Sequence, residues 1–257
     1  MDLGLKGKIA IVTGGTDGIG KAAALIFAKE GAKVAICART QANLDKTAAE
    51  IKALGAEVLA VSADMAKPAD IERFMNAVVK QFGGMDILVN NAGLSMRGKF
   101  LEITDDKWHE DIELKVFGAI RCCRLAIPHM KKRGGGRILN ISISSAKQPG
   151  AGSMPTSLSR AAGLVITKSL SKEFAPDNIL VNAVCIGKIK SGQHDRRMVR
   201  ESISPEKYYH DNSKDIPMAR FGDAEEAANV IVFLCSGAAS YVTGTSVNLD
   251  GGTSGVL

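Results

Sequence analysis

The chain has no CxxC pair. Its five cysteines, Cys37, Cys122, Cys123, Cys185 and Cys235, are odd in number and scattered. That pattern argues against a disulfide framework and against a zinc site, so reduced core thiols and no metal are expected. No run of five basic residues occurs. The densest cluster, Lys131-Lys132-Arg133, precedes Gly134-Gly135-Gly136, where a helix C-terminus and its dipole account for it. The net charge of +6 and pI near 9.0 suit an acidic or phosphorylated small partner, and no nucleic-acid partner is expected. Residues 1–8 contain no apolar targeting core, so a cytoplasmic chain is expected. Residues 227–249 carry no charge, but Asn, Ser, Gly and Thr interrupt them. They read as a buried helix, a loop and a strand rather than a membrane span. Linkers and internal repeats are missing as well, which leaves one domain.

What is present is ordinary globular material: 46% hydrophobic and 23% charged residues over 257 positions, enough to bury a core without staples and too apolar for disorder. Short apolar runs at 8–13, 33–38, 57–62, 85–90, 137–142, 179–185 and 246–249 read as buried strands. Between them, helical spacing or helix punctuation marks 18–30, a helix capped by Thr40 and ended at Gly55, 68–82 opened by Pro68, 104–132 capped by Thr104, 157–174 and 224–235. Residues 188–214 fit neither period and read as a polar insertion or lid. Strict alternation of apolar strands and helices predicts an α/β fold: a single-domain, Rossmann-type, doubly wound parallel sheet of about seven strands. Ligands in such sheets sit at the carboxyl ends of the strands, so the loops leaving those ends are where chemistry is sought.

The first strand runs into Thr13-Gly-Gly-Thr-Asp-Gly-Ile-Gly20. Glycines there let the backbone approach a pyrophosphate, and the next helix offers its N-terminus to it. The GxxxGxG spacing, with Asn90-Asn-Ala-Gly93 after the fourth strand, resembles the short-chain dehydrogenase/reductase family over essentially the whole chain. Tyr241-Val-Thr-Gly244 and Asp250-Gly-Gly252 match that family's closing motif. The resemblance implies a nicotinamide dinucleotide held by Gly14, Thr16, Asp17, Gly18, Ile19 and Gly20. It implies further contacts from Asp64 at the adenine with Met65 packed beside it, and from Asn91, Ala92 and Gly93. Gly187, Ile189 and Ser191 stand where the family holds the nicotinamide amide, although Ile186 replaces the usual proline. At the end of the second strand an acid selects NAD, whereas an arginine accommodates a 2′-phosphate. This chain has Arg39 there, a fork-shaped cation, so NADP(H) is expected.

The family's usual catalytic residues are a serine, a tyrosine thirteen positions later, a lysine four beyond that, and a helix asparagine. The three tyrosines here, Tyr208, Tyr209 and Tyr241, precede no such lysine. The matching stretch Pro155-Thr-Ser-Leu-Ser-Arg160 puts Thr156 at the tyrosine position and Arg160 at the lysine position. Ile143 then falls at the serine position, with Ser142, Ser144 and Ser145 flanking it. Lys115 falls at the asparagine position, read either as a second cation at the nicotinamide end or as a helix lysine whose head reaches solvent. Thr156 is a weaker acid than a phenol, and Arg160 keeps a charge for the ribose but does not shuttle protons. Thr156, Arg160, Lys115, Ser142 and Ser144 are therefore the catalytic candidates.

Two functions fit these residues: an NADP(H)-dependent oxidoreductase on a carbonyl or hydroxyl substrate with an atypical proton path, or an NADP(H)-binding sensor or partner subunit with little turnover. Positive charge at Lys115 and Arg160 is joined by seven basic residues against four acidic ones over 188–214. Together they point to an anionic small-molecule substrate, including a 3-oxoacyl-like one. The nearly uncharged stretch 161–167 predicts a homodimer or homotetramer.

Overall fold

In the computed structural model, which describes residues 2–256, seven parallel strands form one sheet in the order β3-β2-β1-β4-β5-β6-β7. They are β1 (Ile9–Thr13), β2 (Lys33–Ala38), β3 (Val58–Ser62), β4 (Ile87–Asn90), β5 (Gly136–Ile143), β6 (Ile179–Ile186) and β7 (Ser246–Leu249). The strands are apolar throughout because both faces of the sheet are covered. Alternation assigns each residue its side. Ala10, Val12, Val34, Ile36 and Val89 pack into one core, and Ile9, Ile11, Ala35, Cys37 and Leu88 into the other. The strand order reverses between β1 and β4, whose register pairs Val12 with Val89. That switch point opens a crevice beyond the strands' carboxyl ends.

The helices are α1 (Gly18–Lys29), α2 (Gln41–Ala53), α3 (Pro68–Phe82), α4 (Asp105–Ile112), α5 (Gly118–Lys132), α6 (Ser144–Lys147), α7 (Thr156–Glu173), α8 (Gly192–Glu201), α9 (Pro205–Ser213) and α10 (Ala224–Leu234). Pro68 opens α3 as expected, and α10 carries a capping box between Asp223 and Glu226. Three expectations need correction. Neither Thr40 nor Thr104 makes a side-chain cap bond, although each occupies the N-cap position. Residues 104–132 are not one regular helix: a π-helical turn, Glu113–Phe117, separates α4 from α5. Residues 188–214 are not irregular, since α8 and α9 fold onto a small core of Met198, Tyr208, Ile216 and Phe221. Only two of these anchors, Met198 and Tyr208, lie within 188–214, so the segment reads as polar in the sequence.

Residues 227–249 resolve into α10, a loop and β7, and no described helix is long and apolar enough to cross a membrane. All five cysteines are buried and unpaired. Burial pushes the Cys37, Cys123 and Cys235 thiols up to about 12. Among the described residues, no group of three His, Cys, Asp or Glu side chains is placed to hold a metal ion.

Candidate active site

The loops after β1 and β4 are tied together before any ligand is considered. The Asn91 side chain donates to the carbonyls of Thr13 (2.8 Å) and Gly14 (3.1 Å). The Thr13 hydroxyl accepts from the backbone N–H groups of Asn91 and Ala92, both at 3.0 Å. Asn91, expected as a cofactor contact, thus braces the glycine turn. A Cβ at Gly20 would collide with the Gly14 carbonyl and the Asn91 amide, so the tight turn requires glycine there. At Gly18, with φ of +49°, a Cβ would stand 3.0 Å from Ser191, which places the segment after β6 against the glycine turn. Thr16 is partly exposed and Ile19 is buried under the turn. Asp17 faces the same segment: its carboxylate accepts from the Gly192 N–H at 3.3 Å and pairs with Arg196 at 3.5 Å.

At the end of β2, Arg39 is exposed, and its guanidinium makes no ion pair or hydrogen bond among the described residues. A free arginine fork at that point fits a 2′-phosphate. Asp64 takes part in a local turn, its carboxylate accepting from the Ala66 N–H at 3.0 Å. Met65 is buried, its sulfur 3.7 Å from that of Cys37. Gly187 packs so closely on Asp250 that a Cβ would approach to 2.6 Å, and Ile189 is buried in the core.

The charged cluster assembles where β4 and β5 end. Thr156, Ser159 and Arg160 share one face of α7, being spaced i, i+3 and i+4. Lys115 comes from the π-helical turn, a device that recurs at functional sites because it re-aims one side chain within a helix. Lys115 is 5% exposed, which overturns the solvent-reaching reading. Its ammonium pairs with Asp111 and donates to the Thr156 hydroxyl at 3.1 Å. That hydroxyl also accepts from the Met96 N–H at 2.9 Å and donates to Asp111 at 3.3 Å. Ser159 donates to the second Asp111 oxygen. The Arg160 guanidinium donates to the Ile141 carbonyl at 2.6 Å, while its buried Nε has no partner among the described residues. Burial, the neighbouring Arg160 and, more weakly, Arg97 push Lys115 down to about 8, against the opposing pull of Asp111. Burial pushes Arg160 down to about 10, so it stays charged at neutral pH.

A Cβ at Gly93 would overlap Arg160 and lie 3.6 Å from Lys115 Cε. The backbone after β4 is therefore bare where the two cations converge. The unpartnered Nε and the bare glycine fit the ribose and nicotinamide end of a dinucleotide. A cavity of about 20 Å³ beneath, lined by Asn90, Asn140, Lys115, Ser159 and Arg160 among others, has room for one water-sized molecule.

The flanking serines do not join this cluster. Ser142 is buried and donates to the Arg160 backbone carbonyl at 3.1 Å, because β-strand alternation turns it away from the crevice. Ser144 donates to Asp250 at 2.8 Å. Ser145 accepts from Ser157 and from Arg97. Ser142 and Ser144, expected as catalytic candidates, are engaged by Arg160 and Asp250 instead and make no hydrogen bond to Lys115 or Thr156. The sequence reading missed Asp111 and Ser159, although the i, i+4 spacing of Asp111 and Lys115 is a legible ion-pair signal.

A doubly wound sheet with a glycine turn at its first strand and a polar cluster beyond the fourth and fifth defines a dinucleotide-binding Rossmann protein. Comparison with known proteins narrows the class. A family model described as Enoyl-(Acyl carrier protein) reductase matches residues 14–254. Dehydrogenase/reductase SDR family member 4 of Homo sapiens is 35% identical over 251 residues, covering 97% of this chain and 88% of the relative. L-sorbose reductase of Gluconobacter frateurii, solved with NADPH and L-sorbose, superposes with a TM-score of 0.95 at 36% identity, covering 100% of both chains. An NADPH-bound short-chain oxidoreductase of Pseudomonas aeruginosa PAO1, described as containing an atypical catalytic center, superposes with a TM-score of 0.91 at 33% identity, covering 97% of this chain and 98% of that one. The chain belongs to the short-chain dehydrogenase/reductase family, and is an oxidoreductase of that type.

Proposed function

We propose that this protein moves a hydride between NADP(H) and a small carbonyl or hydroxyl substrate, with Lys115 and Thr156 in place of the usual phenol. The observation that carries the reading is the buried Lys115–Thr156 hydrogen bond of 3.1 Å beside the bare Gly93 and the Arg160 guanidinium. Bound NADP(H) supplies or accepts the hydride. Arg39 would hold its 2′-phosphate, the glycine turn its pyrophosphate, and Arg160 its nicotinamide ribose. The NADPH-bound relatives support this choice of cofactor.

The Lys115 ammonium has three protons. One goes to Asp111 and one to Thr156, which leaves a third for a substrate oxygen. A donor with a pKa near 8 exchanges protons at physiological pH far more readily than an ordinary lysine. Arg160 and Lys115 also stabilise negative charge developing on that oxygen. Reduction requires the protonated lysine, so its rate falls as pH rises through about 8, and oxidation shows the opposite limb. Arg97, Lys115 and Arg160 outnumber Asp111, which suits an anionic substrate, and Lys188, Lys190 and Lys214, flanking α8 and α9, give residues 188–214 their excess of positive charge.

The test follows NADPH absorbance with a panel of keto acids, acyl thioesters and neutral ketones, after NADPH binding is shown by fluorescence. Turnover that falls by 10²-fold or more in Lys115→Met, about the contribution of a general acid, supports the proposal. Binding without turnover across the panel supports a sensor or partner subunit instead, a reading favoured by the replacement of the phenol with Thr156.

A further inference from the structure

Asp111 is fully buried, and every hydrogen-bond donor that meets it belongs to the candidate active site. One oxygen takes the Lys115 ammonium and the Thr156 hydroxyl, and the other takes the Ser159 hydroxyl. It sits in the last turn of α4, one residue before that helix gives way to the π-helical turn carrying Lys115. We propose that Asp111 is the positioning residue of this site, holding the Lys115 ammonium and the Thr156 hydroxyl as one unit against α7.

A buried carboxylate with no counter-charge is costly, and so is a buried ammonium next to a guanidinium. Each of the two features makes the other tenable. The charged groups around Lys115 are Asp111 from α4, Arg160 from α7 and Arg97 from the loop after β4. Of these, Asp111 alone favours the protonated lysine; both arginines oppose it. Asp111 also favours the charged form of Arg160. One carboxylate therefore balances the nearest part of a three-cation site. Its bond to Ser159 fixes it to the helix that presents Thr156 and Arg160, so the lysine cannot drift relative to either. The Thr156 hydroxyl proton is directed at Asp111 while its lone pairs receive Lys115 and the Met96 N–H. That arrangement leaves Lys115, rather than Thr156, with the free proton.

This inference rests on the proposed redox function only for its catalytic consequence, because the titration of Lys115 is measurable without turnover. The experiment uses the full chain labelled with ¹³C at lysine Cε, with the Lys115 signal identified by its loss in Lys115→Met. In wild type the signal is expected to titrate at about 8. In Asp111→Asn, which keeps an acceptor for Ser159 but loses the charge, the midpoint moves down by about one pH unit or more, a tenfold loss of proton affinity. Asp111→Ser serves as the second variant if the first does not fold. For any substrate reduced, the alkaline decline of kcat moves down by the same amount while NADPH affinity stays within about twofold. An unchanged Lys115 midpoint in the folded variant overturns the proposal, even if the enzyme turns over. A shifted midpoint in a protein that reduces nothing keeps the positioning role and overturns the redox function.

Discussion

Arg39, exposed at the end of β2 with no side-chain partner among the described residues, is the side chain proposed to read the cofactor's 2′-phosphate. A charge-assisted contact of its kind is worth about 1.5–3 kcal/mol, or roughly ten- to hundredfold in affinity. Calorimetric titration is expected to show NADPH binding tighter than NADH by that margin in wild type, and near-equal affinities in Arg39→Ala. Equal affinities in wild type would remove Arg39 from the cofactor site. The proton path is less easily reduced to one residue. Thr156 is buried and already holds three partners, so Thr156→Tyr alone places a phenol where Met96 and Asp111 pack and is expected to lower activity. Ile143→Ser, Thr156→Tyr and Arg160→Lys together should exceed each single variant, since such groups act as a unit; steady-state kinetics on one ketone decides it. That Thr156, Arg160 and Lys115 converge follows from counting along the sequence from motifs that fold rigidly. Asp111 is harder to place: its i, i+4 spacing to Lys115 signals an ion pair, but with Glu110 and Glu113 beside it nothing in the sequence says that the pair is buried. The serines beside Ile143 misled for the opposite reason, since composition does not say which side of a strand end a hydroxyl faces.

Whole elements were legible where burial leaves little choice. All seven strands lie within a residue or two of their expected bounds, because a strand covered on both faces must be apolar along its length. The π-helical turn breaks the period of the helix it interrupts, and α8 and α9 are hard to read because polar and charged residues dominate them and only Met198 and Tyr208 are buried apolar side chains. The pair is held by aromatic contacts: the Phe221 ring lies 5.0 Å from Tyr209 and 5.1 Å from His194, and His194 Nδ1 is 2.8 Å from the Tyr208 hydroxyl. This cluster is separate from the two cores on the sheet. Phe221→Ala, a change that costs about 3–5 kcal/mol in a core, should therefore loosen α8 and α9 more than the sheet. Limited proteolysis is expected to cut within 192–213 faster, with the main thermal transition moving little; an equal loss in both would place the segment in the main cooperative unit. His194 adds a pH dependence. Burial and, less strongly, Arg197 hold its pKa below the ordinary value of 6.5, with Lys188 adding to the effect and Asp195 opposing it. Its contribution to stability is thus present above about 6.5 and is lost as pH falls through the lowered folded value. Cleavage of the segment should accelerate on acidification in wild type and lose that dependence in His194→Gln.

At the scale of the whole molecule, α7 packs on β5 and β6 with one face and carries exposed apolar side chains on another. The fully buried residues of α7 are Thr156, Ser157, Ser159, Thr167 and Ser171, all hydroxyl-bearing, whereas its apolar residues are at least partly exposed. Leu158 is 44% and Val165 69% exposed, and their seven-residue spacing puts them on one stripe. Phe117, on the π-helical turn that packs against α7, is 45% exposed. With hydroxyls turned inward and Leu158 and Val165 turned outward, α7 suits a further apolar surface, and a second copy of the chain is expected to supply it. A two-fold pairing of α7 with its copy would bury this stripe and brace the face opposite Thr156, Ser159 and Arg160. Light scattering at micromolar concentration is expected to give a dimer or tetramer for wild type. Val165→Lys places a charge at the centre of the stripe, where an unpaired buried ammonium is strongly disfavoured, and should shift the protein toward monomer. Because the Lys115–Asp111–Ser159 cluster leans on the inner face of the same helix, turnover should fall with dissociation and recover as protein concentration is raised. A wild-type monomer, or a Val165→Lys protein of unchanged mass, would leave α7 as a solvent-facing helix and remove assembly from the account of this site.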